Sequence, residues 1–243
     1  MFELSILVCA HNEAHVLERS LVSLHSVMLH ESISAEVVIV DDGSDDGTVD
    51  LAVKLSARMP ELHMRVLERT PGHGGYGSMV RYGLAHASGR YCALVAADGS
   101  DPVDLIPKML GELRKGSQLV ICSRYIDVQH GAALTPRFQL YQKVYRRAIR
   151  VLLKQEITDS TNGFRAFDRA FIQSMGLSST KFSVCPEMTF KTLLSGGAIA
   201  YVPGQPTLRP GEGSEKFKLS HEIVGYGLVL FRSALHRAGL RWF

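Results

Sequence analysis

Apolar positions along the chain alternate between two spacings. Short runs rich in aliphatic and β-branched residues occupy 4–8, 36–40, 63–67, 91–95 and 118–122. Between them lie longer stretches, 14–30, 47–58, 75–87 and 102–114, with helix-like patterning. Strands alternating with helices of this length predict βαβ units and a mostly parallel sheet. Strands that are apolar on both sides predict helical cover on both faces. The expected fold class is therefore α/β, a Rossmann-like central sheet flanked by helices. Asp45 or Asp46 is the expected cap of the second helix, and Asp101, ahead of Pro102, that of the fourth. Gly89 and Gly116 suit the positions just past helix ends.

The second half reads differently. A helix over 136–154 has Tyr141, Val144, Tyr145, Ala148 and Leu152 on one side, and Lys143, Arg147, Arg150 and Lys154 on another. A short glycine-containing segment, TNGFRAF, follows at 161–167. A helix over 186–195 and a late strand over 198–202 come next. Residues 203–218, with three prolines and three glycines, read as a loop.

Composition narrows the class. The 243 residues are 46% hydrophobic and 21% charged, which is globular and neither disordered nor fibrous. A net charge of +3 is too small to argue for nucleic acid. The four cysteines, Cys9, Cys92, Cys122 and Cys185, form no CxxC pair and read as small buried hydrophobes. Nothing in them requires an oxidising compartment, so a cytoplasmic location is expected. The N-terminus lacks the basic start and long apolar core of a signal peptide. The longest late apolar run, 223–231, falls well short of the ~20 residues of a spanning helix.

Four polar clusters follow or join the apolar runs. VCAHNE, 8–13, ends the first strand, and VDDGSDDGT, 40–48, ends the second. Ligands of open α/β sheets bind beyond such strand ends, and carboxylates accept hydrogen bonds from bases and riboses. Asp41 and Asp42 are site candidates, whereas Asp45 and Asp46 suit turn and cap roles. ALVAADGSDPVD, 93–104, places Asp98, Asp101 and Asp104 after another strand. Oxygen-rich sets of this kind suit Mg²⁺ or Mn²⁺ carrying a diphosphate, and Asp98, with no capping role, is the strongest metal candidate. PGHGGYGS, 71–78, is a glycine-rich loop before a helix, but it matches neither GxGxxG nor the P-loop pattern.

Taken together, the motifs resemble the family-2 GT-A glycosyltransferases, in the branch of dolichyl-phosphate mannosyltransferase and related polyprenyl-phosphate glycosyltransferases. VCAHNE resembles that family's V-P-T-Y-N-E opening, and VDDGSDDGT is a close match. GGYGSMVRYGLAHASGRY (74–91), CSRY (122–125), DSTNGFRAF (159–167) and RPGEGSEKFKL (209–219) resemble further segments of it. The resemblance implies a GT-A fold in one domain over 1–218: a nucleotide-sugar-binding half, 1–125, and an acceptor-binding half, 126–218. A C-terminal amphipathic segment, 219–243, follows. It implies that Cys9, His11, Glu13, Asp41, Asp42, Gly74 and Asp98 bind the nucleotide sugar, of GDP-mannose or UDP-glucose type. Asp98, with Asp101, would hold Mg²⁺ or Mn²⁺. Arg124, Arg137, Arg209 and Lys216 would gather the acceptor phosphate, and Asp98, Arg124, Arg209 and Lys216 would form the catalytic set. One departure stands out: the family's D-x-D is here Ala96-Ala97-Asp98, without its first carboxylate.

The implied reaction is inverting transfer of the sugar to a polyprenyl phosphate. A phosphate monoester is already nearly dianionic at neutral pH, so it needs no general base. With a hydroxyl acceptor instead, Asp159 or Glu187 becomes the candidate base. Two alternatives stay open: a family-2 transferase acting on a saccharide or small-molecule hydroxyl, and a non-catalytic nucleotide-sugar binder, for which Ala96 is the sole argument. A lipid acceptor also requires a membrane surface. The 136–154 helix and the 219–243 segment, with Phe231, Leu235, Leu240, Trp242 and Phe243 beside Arg232, Arg237 and Arg241, suit peripheral docking.

Overall fold

The computed structural model describes residues 2–70, 74–126, 136–204 and 219–242, the side chains of 136–138 and 219–221 excepted. The first part of the chain alternates as its apolar spacing predicts. It runs β1 (Leu4–Ala10), α1 (Ala14–His30), β2 (Ala35–Asp41), α2 (Thr48–Arg58), β3 (Arg65–Glu68), α3 (Tyr76–His86), β4 (Tyr91–Ala96), α4 (Ile106–Arg114) and β5 (Leu119–Ser123). Then come α5 (Pro136–Leu153), β6 (Arg165–Asp168), α6 (Arg169–Ser174), α7 (Val184–Leu194), β7 (Ile199–Pro203) and α8 (Leu219–Arg237).

All seven strands form one sheet in the order β3-β2-β1-β4-β6-β5-β7. The pairings are parallel except those of β6, which lies antiparallel between β4 and β5. One core packs Ile6, Val8, Val37, Ile39 and Ala93 with the buried sides of α1, α2 and α4. A second packs Leu7, Val38, Val40 and Leu94 with α3, α6 and α7. Residues alternate between the two cores along each strand, so the continuous apolar runs follow from cover on both faces. A third cluster joins Tyr145, Ile149 and Leu153 of α5 to Phe190 of α7 and to Tyr226, Val229 and Leu230 of α8. All four cysteines are free, with Cys92, Cys122 and Cys185 buried and Cys9 half-buried.

Several local expectations are corrected. TNGFRAF contains β6, whose Arg165 is fully buried and pairs with Leu94 and Ile121. Its guanidinium donates to the carbonyls of Ser160, Asn162 and Cys185, which makes an arginine tolerable inside a sheet. Gly89 is not a helix cap: α3 ends at an extended Ala87. Gly89 instead passes against β1, where a Cβ would stand 2.6 Å from the Ser5 nitrogen. Gly116 does end α4, at φ +105°, with its N–H bonded to the Leu113 carbonyl and that of Ser117 to Glu112. Asp46 accepts from the Thr48 N–H at the start of α2. Asp101 caps nothing and turns back to β4. On α5, Val144 and Leu152 face outward, 61% and 44% exposed, because the face packed on α8 runs through Tyr145, Ile149 and Leu153.

Candidate active site

Cys9 pairs with Val40 on one side and Ala96 on the other, so the C-terminal ends of β1, β2 and β4 lie level. The loops after these strands leave the sheet along one edge, where α/β proteins bind ligands. The first two are stitched together. Asn12 N–H donates to Ser44 Oγ, Glu13 N–H to Thr48 Oγ1, Ala14 N–H to Asp46 Oδ2 and Asp45 N–H to Asn12 Oδ1. His11 Nδ1 lies 3.1 Å from the Asp42 carbonyl oxygen. Cys9, His11 and Glu13 are thereby brought beside the paired aspartates.

The two aspartates have different surroundings. Asp41 is buried and turned into its own loop, accepting from the N–H groups of Gly43 and Ser44 at 2.9 Å each, and from Ser44 Oγ. It shapes the turn that presents Asp42. Asp42 makes an ion pair of 3.2 Å with Arg69, just beyond β3, and both side chains are nearly buried. Burial pushes the Cys9 thiol far above its ordinary range, so the sulfur stays neutral beside that pair.

At the end of β4, Asp98 Oδ1 accepts from the Ser100 N–H at 2.9 Å. Asp101 Oδ2 accepts from the N–H of Ala96 at 2.7 Å. A carboxylate thus folds back onto the residue whose side chain the D-x-D pattern would have supplied. Burial, reinforced by the charge of Asp98, pushes the Asp101 carboxyl up to about 7. Among the described residues no cluster of three or more His, Cys, Asp or Glu forms a metal cage. Two carboxylates suit a hard divalent cation whose remaining ligands are diphosphate oxygens and water.

Arg124 follows β5 and is held as a fork. Its Nε and Nη2 donate to the two oxygens of Asp159 at 2.7 and 2.9 Å, and Nη2 also reaches Thr161 Oγ1 at 2.8 Å. Gln142 of α5 donates to the same Thr161 oxygen at 3.0 Å. Burial alone would raise the Asp159 carboxyl, but Arg124 and the Thr161 N–H hold it below the ordinary carboxylate range. Its oxygens are occupied, so the candidate base for a hydroxyl acceptor is instead a positioning group. Glu187 fails that role too. It is fully buried, accepts from Ser178 and Ser179, and pairs with Lys191 at 3.1 Å.

Residues 74–77 of the glycine-rich segment pack on residues 179–181. Gly74 lies against Ser78 and Thr180, and the Ser78 N–H donates to the Thr180 carbonyl at 3.1 Å. The Arg137 side chain, Arg209 and Lys216 lie outside the described residues. Sequence reasoning missed Arg69 and Gln142. The face of α5 that carries Gln142 is recognisable only once that helix lies over the 159–162 loop.

A family model described as "Glycosyl transferase family 2" matches residues 5–176. An undecaprenyl-phosphate mannosyltransferase of Micrococcus luteus is 31% identical over 203 residues, which is 80% of each chain. A dolichol-phosphate mannosyltransferase of Pyrococcus furiosus is 26% identical over 195 residues; the match covers 78% of this chain but only 53% of that protein. Among solved structures, glucosyl-3-phosphoglycerate synthase of Mycobacterium tuberculosis, crystallised with Mn²⁺, UDP-glucose and phosphoglyceric acid, superposes with a TM-score of 0.71. That match covers 99% of this chain and 81% of the other at 22% identity, so the likeness is one of fold. With the sheet order, it gives the α/β architecture of the GT-A transferases. On the extent of the family match, this chain belongs to the family-2 glycosyl transferases.

Proposed function

We propose that the protein transfers a sugar from a nucleotide-diphosphate sugar to a polyprenyl phosphate, inverting the anomeric carbon. The observation that carries this reading is the meeting of two differently built sites on one sheet. The level ends of β1, β2 and β4 offer carboxylates at Asp42, Asp98 and Asp101 on the donor side. Beside them, Arg124 after β5 is held as a fixed fork by Asp159, and among the described residues both candidate bases, Asp159 and Glu187, have their carboxylates engaged. A phosphate monoester is the acceptor that needs a cation and no base. The Micrococcus and Pyrococcus relatives are named for transfer to phosphorylated polyprenols, which supports the same acceptor class.

In this mechanism the 9–13 segment and Asp42 hold the nucleoside, with Asp41 fixing their turn. Asp98 and Asp101 are the residues that would hold Mg²⁺ or Mn²⁺, which when bound neutralises charge on the diphosphate leaving group. Arg124 orients the acceptor phosphate for in-line attack, with Arg137, Arg209 and Lys216 proposed as further phosphate contacts. Catalysis then rests on positioning and charge complementarity.

The acceptor also places the protein at a membrane surface. Among the described residues no helix is long and apolar enough to cross one. Exposed Leu140, Val144 and Val151 on α5 and Val224, Leu228 and Phe231 on α8 form apolar rows flanked by Arg147, Lys143 and Arg232, suiting an interfacial seat on anionic lipid.

The test is turnover of labelled GDP-mannose and UDP-glucose with undecaprenyl phosphate, with Mn²⁺, Mg²⁺ or chelator, reading label in the lipid phase. Transfer from one donor, lost in chelator and in Asp98→Asn, is the expected result. Transfer to a water-soluble saccharide but not to the lipid would overturn the acceptor. Donor binding without transfer to any acceptor would overturn the enzyme.

A further inference from the structure

Arg124 brings little net charge to the acceptor site, because Asp159 neutralises it. An incoming phosphate monoester carries between about −1.5 and −2 charges at neutral pH, so a cation without a carboxylate partner is needed beside the fork. We infer that Arg146 is that cation and is a specificity-determining residue for a phosphomonoester acceptor, an inference that rests on the acceptor class proposed above.

Arg146 follows Gln142 by one helical turn, on the face of α5 that meets Thr161. Its guanidinium lies over the Tyr125 ring, 4.6 Å from the centroid, and that of Arg124 lies over the same ring at 5.6 Å. A stacked guanidinium keeps its N–H edge free for an oxyanion. Arg146 forms no ion pair with a described carboxylate, and its Nε is buried without a hydrogen-bond partner. The Tyr125 hydroxyl is likewise buried and unpartnered. Leaving such donors unsatisfied is costly, and a bound anion removes the cost. The contrast along α5 is sharp: Arg147 is exposed, and Arg150 is exposed and paired with Glu156 at 3.0 Å.

The experiment compares wild type, Arg146→Gln and Arg146→Lys in detergent-solubilised undecaprenyl phosphate, with Arg58→Gln on α2 as a control for lost surface charge. Expected is a rise of about tenfold or more in acceptor KM for Arg146→Gln, a donor KM within about twofold of wild type, and partial rescue by Lys. An unchanged acceptor KM, or equal changes in both KM values, overturns the inference. Should wild type fail to turn over, the acceptor class falls, and the same proteins are titrated with undecaprenyl phosphate and with inorganic phosphate. Weaker phosphate binding by Arg146→Gln than by wild type then still supports Arg146 as the anion ligand, and equal or absent binding overturns it.

Discussion

At the scale of single residues, the most consequential pairing is Asp159 with Arg124. Asp159 is completely buried and Arg124 nearly so. Removing one partner of a buried ion pair leaves an uncompensated charge and costs about 3–5 kcal/mol. Asp159→Asn keeps the shape but loses the fork. It is expected to lower the unfolding free energy by about 3 kcal/mol in denaturant titration, and to depress kcat/KM for the acceptor far more than for the donor. Equal losses on both substrates would mean that Asp159 supports the fold alone. This pairing was only half legible in the sequence. CSRY and DSTNGFRAF both stood out, but nothing in one dimension places residue 124 against residue 159, and an acidic residue in a transferase invites the reading of a base. Ala96 shows the same limit. The missing D-x-D carboxylate was plain, whereas the return of Asp101 to the Ala96 N–H depends on the turn through Gly99.

At the scale of elements, apolar spacing located the parallel strands and long helices because each buries a periodic face. It missed β6, where four residues opening on an arginine carry no readable period. Burial of that arginine is made good by the nearby carbonyls of Ser160 and Asn162 and by the distant one of Cys185 on α7, the last a tertiary fact. A similar tertiary debt falls on α7, whose Glu187 holds the 178–179 turn on which α3 begins. Burial by itself would raise the Glu187 carboxyl, but bonds from Ser179 and Ser178 and the charge of Lys191 leave it below its ordinary value of 4.5. A carboxyl with a lowered folded pKa stabilises fully above its unfolded value, and that stability is lost as pH falls through the folded one. The melting temperature should therefore drop steeply below about pH 5. In Glu187→Gln the acid limb should be shallower and the melting temperature at pH 7 lower. An unchanged acid limb would assign acid sensitivity to other buried carboxylates such as Glu36 and Asp159.

At the scale of the whole molecule, α5 and α8 pack side by side over α7 and turn apolar rows outward. The sequence singled out both segments for docking without separating their faces, because amphipathicity gives a helix two faces without saying which meets the protein. Trp242, a candidate for membrane insertion, instead lies 4.9 Å from Lys191 Nζ and joins the third core cluster. Arg237 donates to the Leu153 carbonyl and so ties α8 to α5. The proposed docking surface is thereby narrowed to the exposed apolar residues of α5 and α8. Val144→Glu with Phe231→Glu removes apolar area and adds negative charge without disturbing Tyr145, Tyr226 or the Arg124 fork. Burying a large apolar side chain is worth about 1.5–3 kcal/mol, so losing two should weaken binding to anionic vesicles by at least an order of magnitude. Co-sedimentation with vesicles containing phosphatidylglycerol measures this, and transfer to detergent-solubilised acceptor should persist in the same variant. Undiminished vesicle binding would move the membrane contact elsewhere. Loss of activity in detergent as well would mean that these rows serve the acceptor chain itself, since a surface needed only for docking has no effect once the lipid is dispersed.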